Sequence, residues 1–213
     1  MKKEKDLPVL LALDPSVRSM GWATVNLNNA EGDHYDLENP LVWNYGLITM
    51  EPTKQVQYRW EQAKKQLEEA LGLDELTPTH FASEWPTFFN SMKGRIAAQE
   101  NYTVGLAGIV GYLAGVFKFK GEHIVLWTPQ QWKGNTPKNV TRNQFVLYFG
   151  DYGKQLAKTA SDDVIDAIMI ARHWLTLYDR ERFYWQKQSK GGYYALNKEG
   201  EKNTGKHEET IRR

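Results

Sequence analysis

Apolar positions along this chain begin in an unbroken run. Pro8 to Leu13 is continuous, too short for a helix and closed by Asp14-Pro15, so it predicts a buried strand that ends on a carboxylate. After a turn at Pro15 to Ser19, Gly21 to Leu27 alternates and is rich in β-formers, and Leu41 to Met50 does the same. Three such strands in succession predict an antiparallel meander. Val56 to Leu71 then carries helix formers with the acid–base pairs Glu61/Lys65 and Lys64/Glu68, the pattern of a surface helix. Thr79 to Glu84 returns to strand, again ending on a carboxylate just before Pro86.

A long helix is expected from about Met92 to Phe119, with Gly105, Gly108, Gly111 and Gly115 on one stripe. Each glycine costs a helix roughly 1 kcal/mol against alanine, so the stripe implies a close neighbour, either the sheet or a helix of a second subunit. Ile124 to Trp127 is a fifth strand, stopped by Thr128-Pro129. Asn139 or Thr141 can cap a helix running to about Phe149, and Ser161 or Asp162 can cap a last core helix, Asp163 to Tyr178. Beyond Arg182 no period is sustained, and a loosely ordered tail is expected. The order β-β-β-α-β-α-β-α-α predicts an α/β fold in which helices flank a mixed five-stranded sheet. The expected division is a domain over residues 1–180 and a basic, aromatic tail over 181–213.

Composition narrows this reading. The 213 residues include no cysteine, which excludes disulfides and cysteine-ligated metal, and an intracellular, cytoplasmic protein is expected. The lysine-rich Met1 to Asp6 is followed by no secretory apolar region. Val104 to Phe117, an uncharged stretch of about 14 residues, falls short of the roughly 20 that span a bilayer, so no membrane association is expected. Net charge is only +1, yet from Arg180 onward nine basic residues face five acidic ones, leaving the tail at +4 and the body at −3. A slightly acidic body that approaches nucleic acid needs its acids gathered for a purpose, such as holding a divalent metal.

Four acids stand where structural residues would not put them. Asp14 and Glu84 end apolar strands, and Asp163 and Asp166 lie three apart on one helix face, Asp166 among Val164, Ile165, Ala167, Ile168, Met169 and Ile170. A carboxylate in such surroundings must bind metal, join an ion pair or be protonated. If the strands bring Asp14 and Glu84 side by side and the last helix crosses them, the acids form a cluster that Mg²⁺ or Mn²⁺ would relieve. That arrangement suits phosphodiester hydrolysis by two metals about 3.5–4 Å apart.

The segment Leu13-Asp14-Pro15-Ser16-Val17-Arg18-Ser19-Met20-Gly21-Trp22-Ala23 resembles the opening motif of the RuvC-like Holliday-junction resolvases. Phe81-Ala82-Ser83-Glu84 is similar to that family's second acidic motif, and Trp127-Thr128-Pro129-Gln130-Gln131-Trp132-Lys133 to its aromatic-x-Pro segment. Ser161-Asp162-Asp163-Val164-Ile165-Asp166-Ala167-Ile168 is similar to its closing Asp-x-x-Asp-Ala helix. The resemblance implies a ribonuclease H-like fold, a homodimer, two divalent ions per active site (Mg²⁺, with Mn²⁺ as substitute) and paired nicks across a four-way DNA junction. It assigns metal-binding and catalytic roles to Asp14, Glu84, Asp163 and Asp166, with Asp162 a rival for Asp163. Arg18, Lys133, Lys138 and Arg142 become candidate phosphate contacts, and Trp85, Phe88 and Phe89 candidate rings at the junction. Two positions depart from the pattern: Ser16 replaces a glycine, and Thr87 stands where an aromatic is expected.

Overall fold

The computed structural model describes residues 9–27, 43–51, 55–72, 77–87 and 102–189, the side chains of 43, 138 and 178–189 excepted. Strands β1 (Val9–Pro15), β2 (Ser19–Asn26), β3 (Trp43–Thr49), β4 (His80–Glu84) and β5 (Ile124–Trp127) form one mixed sheet in the order β3-β2-β1-β4-β5. β1 pairs with β2, and β2 with β3, antiparallel, whereas β4 lies parallel to both β1 and β5. The expected meander and mixed sheet are both present. β1, the most apolar strand, is central and buried along nearly its whole length, as a strand covered on both faces must be.

Alternation along β1 separates two layers. Leu11 and Leu13, with Met20, Trp22, Ile48 and Phe81, point into a core roofed by α1 (Val56–Leu71) and α2 (Tyr102–Val116), which contribute Ala63, Leu67, Ile109, Val110 and Leu113. Leu10, Ala12 and Asp14 consequently face the other way. The i,i+4 pairing on α1 is real, at Lys64–Glu68 (3.8 Å) and Lys65–Glu69 (3.9 Å), while Glu61 accepts the Tyr112 hydroxyl hydrogen from α2.

The glycine stripe of α2 divides in two. A Cβ on Gly108 would enter the Trp60 ring of α1, so that glycine serves helix-to-helix packing within the chain, and it does so against α1 rather than against the sheet. Gly111 and Gly115 have open space beside them. Residues 92–101 of the expected helix lie outside the described residues.

Three helical expectations need correction. After β5 a short helix, α3 (Pro129–Lys133), stands where only a strand stop was expected. Its signal was in the sequence: Thr128 caps Gln131 reciprocally and Pro129 takes the first turn, which the missing proline N–H permits. α4 runs Lys138–Thr159, ten residues beyond the expected end, because Gly150 adopts a left-handed φ of 54° and joins two helical stretches across a kink. Neither Asn139 nor Thr141 caps it; Pro137 precedes it, and the buried Thr141 hydroxyl turns back to the Pro137 carbonyl (3.4 Å). α5 runs Asp162–Ser189, so the backbone stays helical past Arg182, where a loose tail was expected. Ser161 accepts the Val164 amide hydrogen (3.3 Å) as an N-cap should.

The chain divides into two compact units, residues 1–173 and 174–213. The sheet, α1 to α4 and the first turns of α5 belong to the first unit, and the described part of the second is the remainder of α5. Among the described residues no helix is long and apolar enough to cross a membrane.

Candidate active site

The register of the central parallel strands brings the first two acids level. Ala12 pairs with Ala82 and Leu13 with Ser83, so Asp14 and Glu84 follow on adjacent strands, both on the face away from α1 and α2. Gly21 of β2, paired with Asp14, faces the same way, and the start of α5 rests directly on it. There Ser19 Oγ donates to Asp163 Oδ2, and Ser19 in turn meets Ser16 Oγ at 2.8 Å. One turn further, Asp166 is buried. Glu84, Asp163 and Asp166 thus all act on Asp14.

Electrostatics register the crowding. Burial, then the charges of Glu84, Asp166 and Asp163, push the Asp14 carboxyl well above the ordinary aspartate range, and Lys133 opposes them. Among the described residues no hydrogen-bond donor reaches the Asp14 carboxylate. Lys133, at the end of α3, places Nζ 3.0 Å from Asp166 Oδ2 and 3.4 Å from Glu84 Oε2, with only 14% of its side chain exposed. Burial, the largest influence on Lys133, lowers its pKa, but Asp166 and Glu84 together outweigh it and hold the ammonium above the ordinary lysine value.

Lys133 was expected at phosphate from its place after β5; its role as the counter-charge inside the cluster carried no sequence signal. Trp132 was not singled out at all. Its indole Nε1–H donates to Glu84 Oε2 at 2.9 Å, and a tryptophan beside a lysine reads equally as core packing.

The other expected site residues distribute as follows. Asp162 turns to Arg142 (2.7 Å), whereas Asp163 turns into the cluster. Arg142, half-buried, turns its guanidinium onto the chain itself: Nε and Nη2 on Asp162, Nη1 on the Ala157 carbonyl and Nη2 on the Ala160 carbonyl (3.2 Å). It thereby ties the end of α4 to the turn that launches α5. Arg18 is exposed at the β1–β2 turn. Trp85 is partly buried against the core. Phe88 and Phe89, and the side chain of Lys138, lie outside the described residues.

Arg142 yields a test. Replacing it by Met should lower unfolding free energy by roughly 2–3 kcal/mol in urea denaturation, since charged hydrogen bonds to a partly buried turn are lost. The slope of log DNA affinity against log salt should not change, whereas a lost phosphate contact would flatten it by about 0.9.

Whether a divalent metal suits these residues turns on their donor chemistry. Among the described residues four carboxylates, one of them buried without a donor, stand against a single ammonium, and hard oxygen donors of this kind fit Mg²⁺ or Mn²⁺. As placed, they do not converge: among the described residues no three His, Cys, Asp or Glu side chains form a ready ligand set. Asp163 instead engages Ser19, and Asp166 and Glu84 engage Lys133.

The mixed sheet with its flanking helices is a ribonuclease H-like fold, shared with Holliday-junction resolvases. The Thermus thermophilus RuvC structure superposes at a TM-score of 0.53 with 15% identity, covering 81% of this chain and 96% of that one. T. thermophilus RuvC in complex with Holliday junction substrate gives 0.50 and 15%, over 78% and 91%. The crystal structure of the yeast mitochondrial Holliday junction resolvase Ydc2 gives 0.49 and 12%, over 86% of each chain. No family model and no curated protein sequence matches the chain.

Proposed function

We propose that the protein is a Mg²⁺-dependent endonuclease that resolves four-way DNA junctions by paired nicks, acting as a homodimer. The observation that carries this reading is the crowding of Glu84, Asp163 and Asp166 around the buried Asp14, where the last helix crosses the ends of the central strands, with Lys133 as the cation that opposes it among the described residues. Those four acids would hold the metal; when bound, two such ions supply the charge that activates a water and stabilises the leaving oxygen.

The chain's own groups do the rest. Asp14 and Glu84 are anchored on adjacent strands of the sheet, while Asp163 and Asp166 ride on the helix that rests on Gly21. Lys133 lies at the acids where the scissile phosphate would sit and can meet its negative charge. Arg18, exposed four residues beyond Asp14, would contact a neighbouring phosphate. Two nicks related by symmetry require two active sites about a two-fold axis. The open side of α2 at Gly111 and Gly115 is the surface we assign to the second subunit.

The test is cleavage of a labelled four-way junction by purified protein, with Mg²⁺ and with chelator. Symmetric nicks in two opposed strands, only with the metal, are expected. Cutting of flaps, forks or RNA–DNA hybrids in preference to junctions would move the substrate assignment elsewhere within the fold. Junction binding with no cleavage of any substrate would make the chain a DNA-binding relative of the nucleases.

A further inference from the structure

We propose that Trp132 is a positioning residue for Glu84, fixing which carboxylate oxygen is offered to the metal; this rests on reading the carboxylate cluster as a metal site. The hydrogen bond from Trp132 Nε1 to Glu84 Oε2 measures 2.9 Å, and Lys133 Nζ lies 3.4 Å from the same oxygen. Oε2 is therefore committed to protein donors. Oε1 has no protein partner among the described residues, so Glu84 presents one oxygen in a set orientation.

The support for the indole is built into the chain. Trp132 is only 9% exposed. It sits in the single turn of α3, which the Thr128–Gln131 capping box and Pro129 hold directly after β5. The strand ends themselves are tied, since the Trp85 amide donates to the Trp127 carbonyl at 2.7 Å. An indole is a donor only, with one hydrogen to give, so pointing it at a carboxylate fixes that carboxylate and nothing else. The same ring carries Lys133, whose Nζ lies 4.5 Å from its centroid. A flexible lysine alone would leave Glu84 free to rotate about its terminal bonds; the rigid indole does not. Partners that orient metal ligands in this manner typically change metal affinity or activity by 10–100-fold when removed.

The experiment uses the full chain and Mn²⁺ as probe, titrated by electron paramagnetic resonance of the free ion. Trp132→Phe keeps the ring and removes the N–H. It is expected to melt within a few degrees of the parent, to bind Mn²⁺ roughly 10-fold more weakly, and to lower kcat on a junction with KM for DNA unchanged. In a Glu84→Ala background the same change should have no further effect on Mn²⁺ affinity, because the group it orients is gone. Glu84→Ala, which keeps Trp132, gives a second measurement independent of how the Phe variant folds. The Trp132 indole ¹H–¹⁵N resonance should shift and its hydrogen exchange faster.

Parental Mn²⁺ affinity in Trp132→Phe, an equal loss with and without Glu84, or an unmoved indole resonance would overturn the positioning role while leaving the metal site standing. No Mn²⁺ binding by the parent would overturn the metal site and the positioning role together.

Discussion

Asp14→Asn should yield a protein that no longer cuts a junction, binds it at least as tightly as the parent, and in metal-free buffer melts at a higher temperature. Loss of cleavage follows if Asp14 anchors metal, and a fall of on the order of 10³ or more, about 4 kcal/mol of transition-state stabilisation, is expected. Binding survives because phosphate contacts come from basic groups, and one negative charge fewer lies beside the phosphate. The stability gain follows from the crowding. Burial and the three neighbouring acids raise the Asp14 pKa in the folded, metal-free chain above its unfolded value. The folded state therefore binds that proton more tightly. The stabilisation so conferred is complete below the ordinary aspartate range and is lost as pH rises through the raised folded value.

Asparagine carries no charge to lose. The variant's melting temperature should accordingly diverge from the parent's as pH increases, by roughly 2–4 °C for each kcal/mol of repulsion removed. Saturating Mg²⁺ should reverse the ranking, because only the parent gains the binding energy of a complete ligand set. Melting curves across pH, with chelator and with Mg²⁺, check both signs. A variant that melts with the parent at every pH would mean that Asp14 is not held against its neighbours.

What the sequence showed and what it hid divide along physical lines. Strands were legible because β1 is a short, wholly apolar run between turn residues, and α1 because helix formers and i,i+4 pairs continue through its length. Asp14 and Glu84 were legible for a related reason, since a charge that terminates an apolar strand has few structural purposes. Asp166 was enclosed by apolar neighbours, which required a partner without naming it. The partner, Lys133, lies 33 residues earlier in the chain, at the end of the short helix α3 that packs against β5. No local pattern encodes such a contact. Between Asp162 and Asp163, spacing to Asp166-Ala167 favoured Asp163 but left Asp162 a rival: in the structure Arg142, 20 residues away from Asp162, takes Asp162, and Asp163 faces the cluster. The expected end of α4 at about Phe149 fell short because Gly150, the next residue, bends the helix without ending it.

Gly21→Ala should be among the most damaging single methyl additions in the chain, and should damage the site more than the fold. A Cβ on Gly21 would overlap the carbonyl of Asp163 and come within 2.7 Å of the Val164 amide nitrogen. These are backbone atoms in the first turn of α5, which cannot swing aside as a side chain can. The helix start has to lift from the sheet, taking with it Asp163, its bond from Ser19, and the angle at which Asp166 meets Lys133. Overpacking of this kind costs about 1–3 kcal/mol, a drop of roughly 2–12 °C in Tm for a chain of this size. Gly108→Ala is the control: its Cβ would strike the Trp60 ring, on the opposite layer of the sheet from the acids. Both variants should lose stability. Gly21→Ala alone should lose Mn²⁺ affinity and cleavage when each is measured per folded molecule, by tenfold or more if displacement of Asp163 by an ångström is felt as remote misplacements are. Equal residual activity in the two variants would show that the contact at Gly21 supports the fold without setting the position of Asp163.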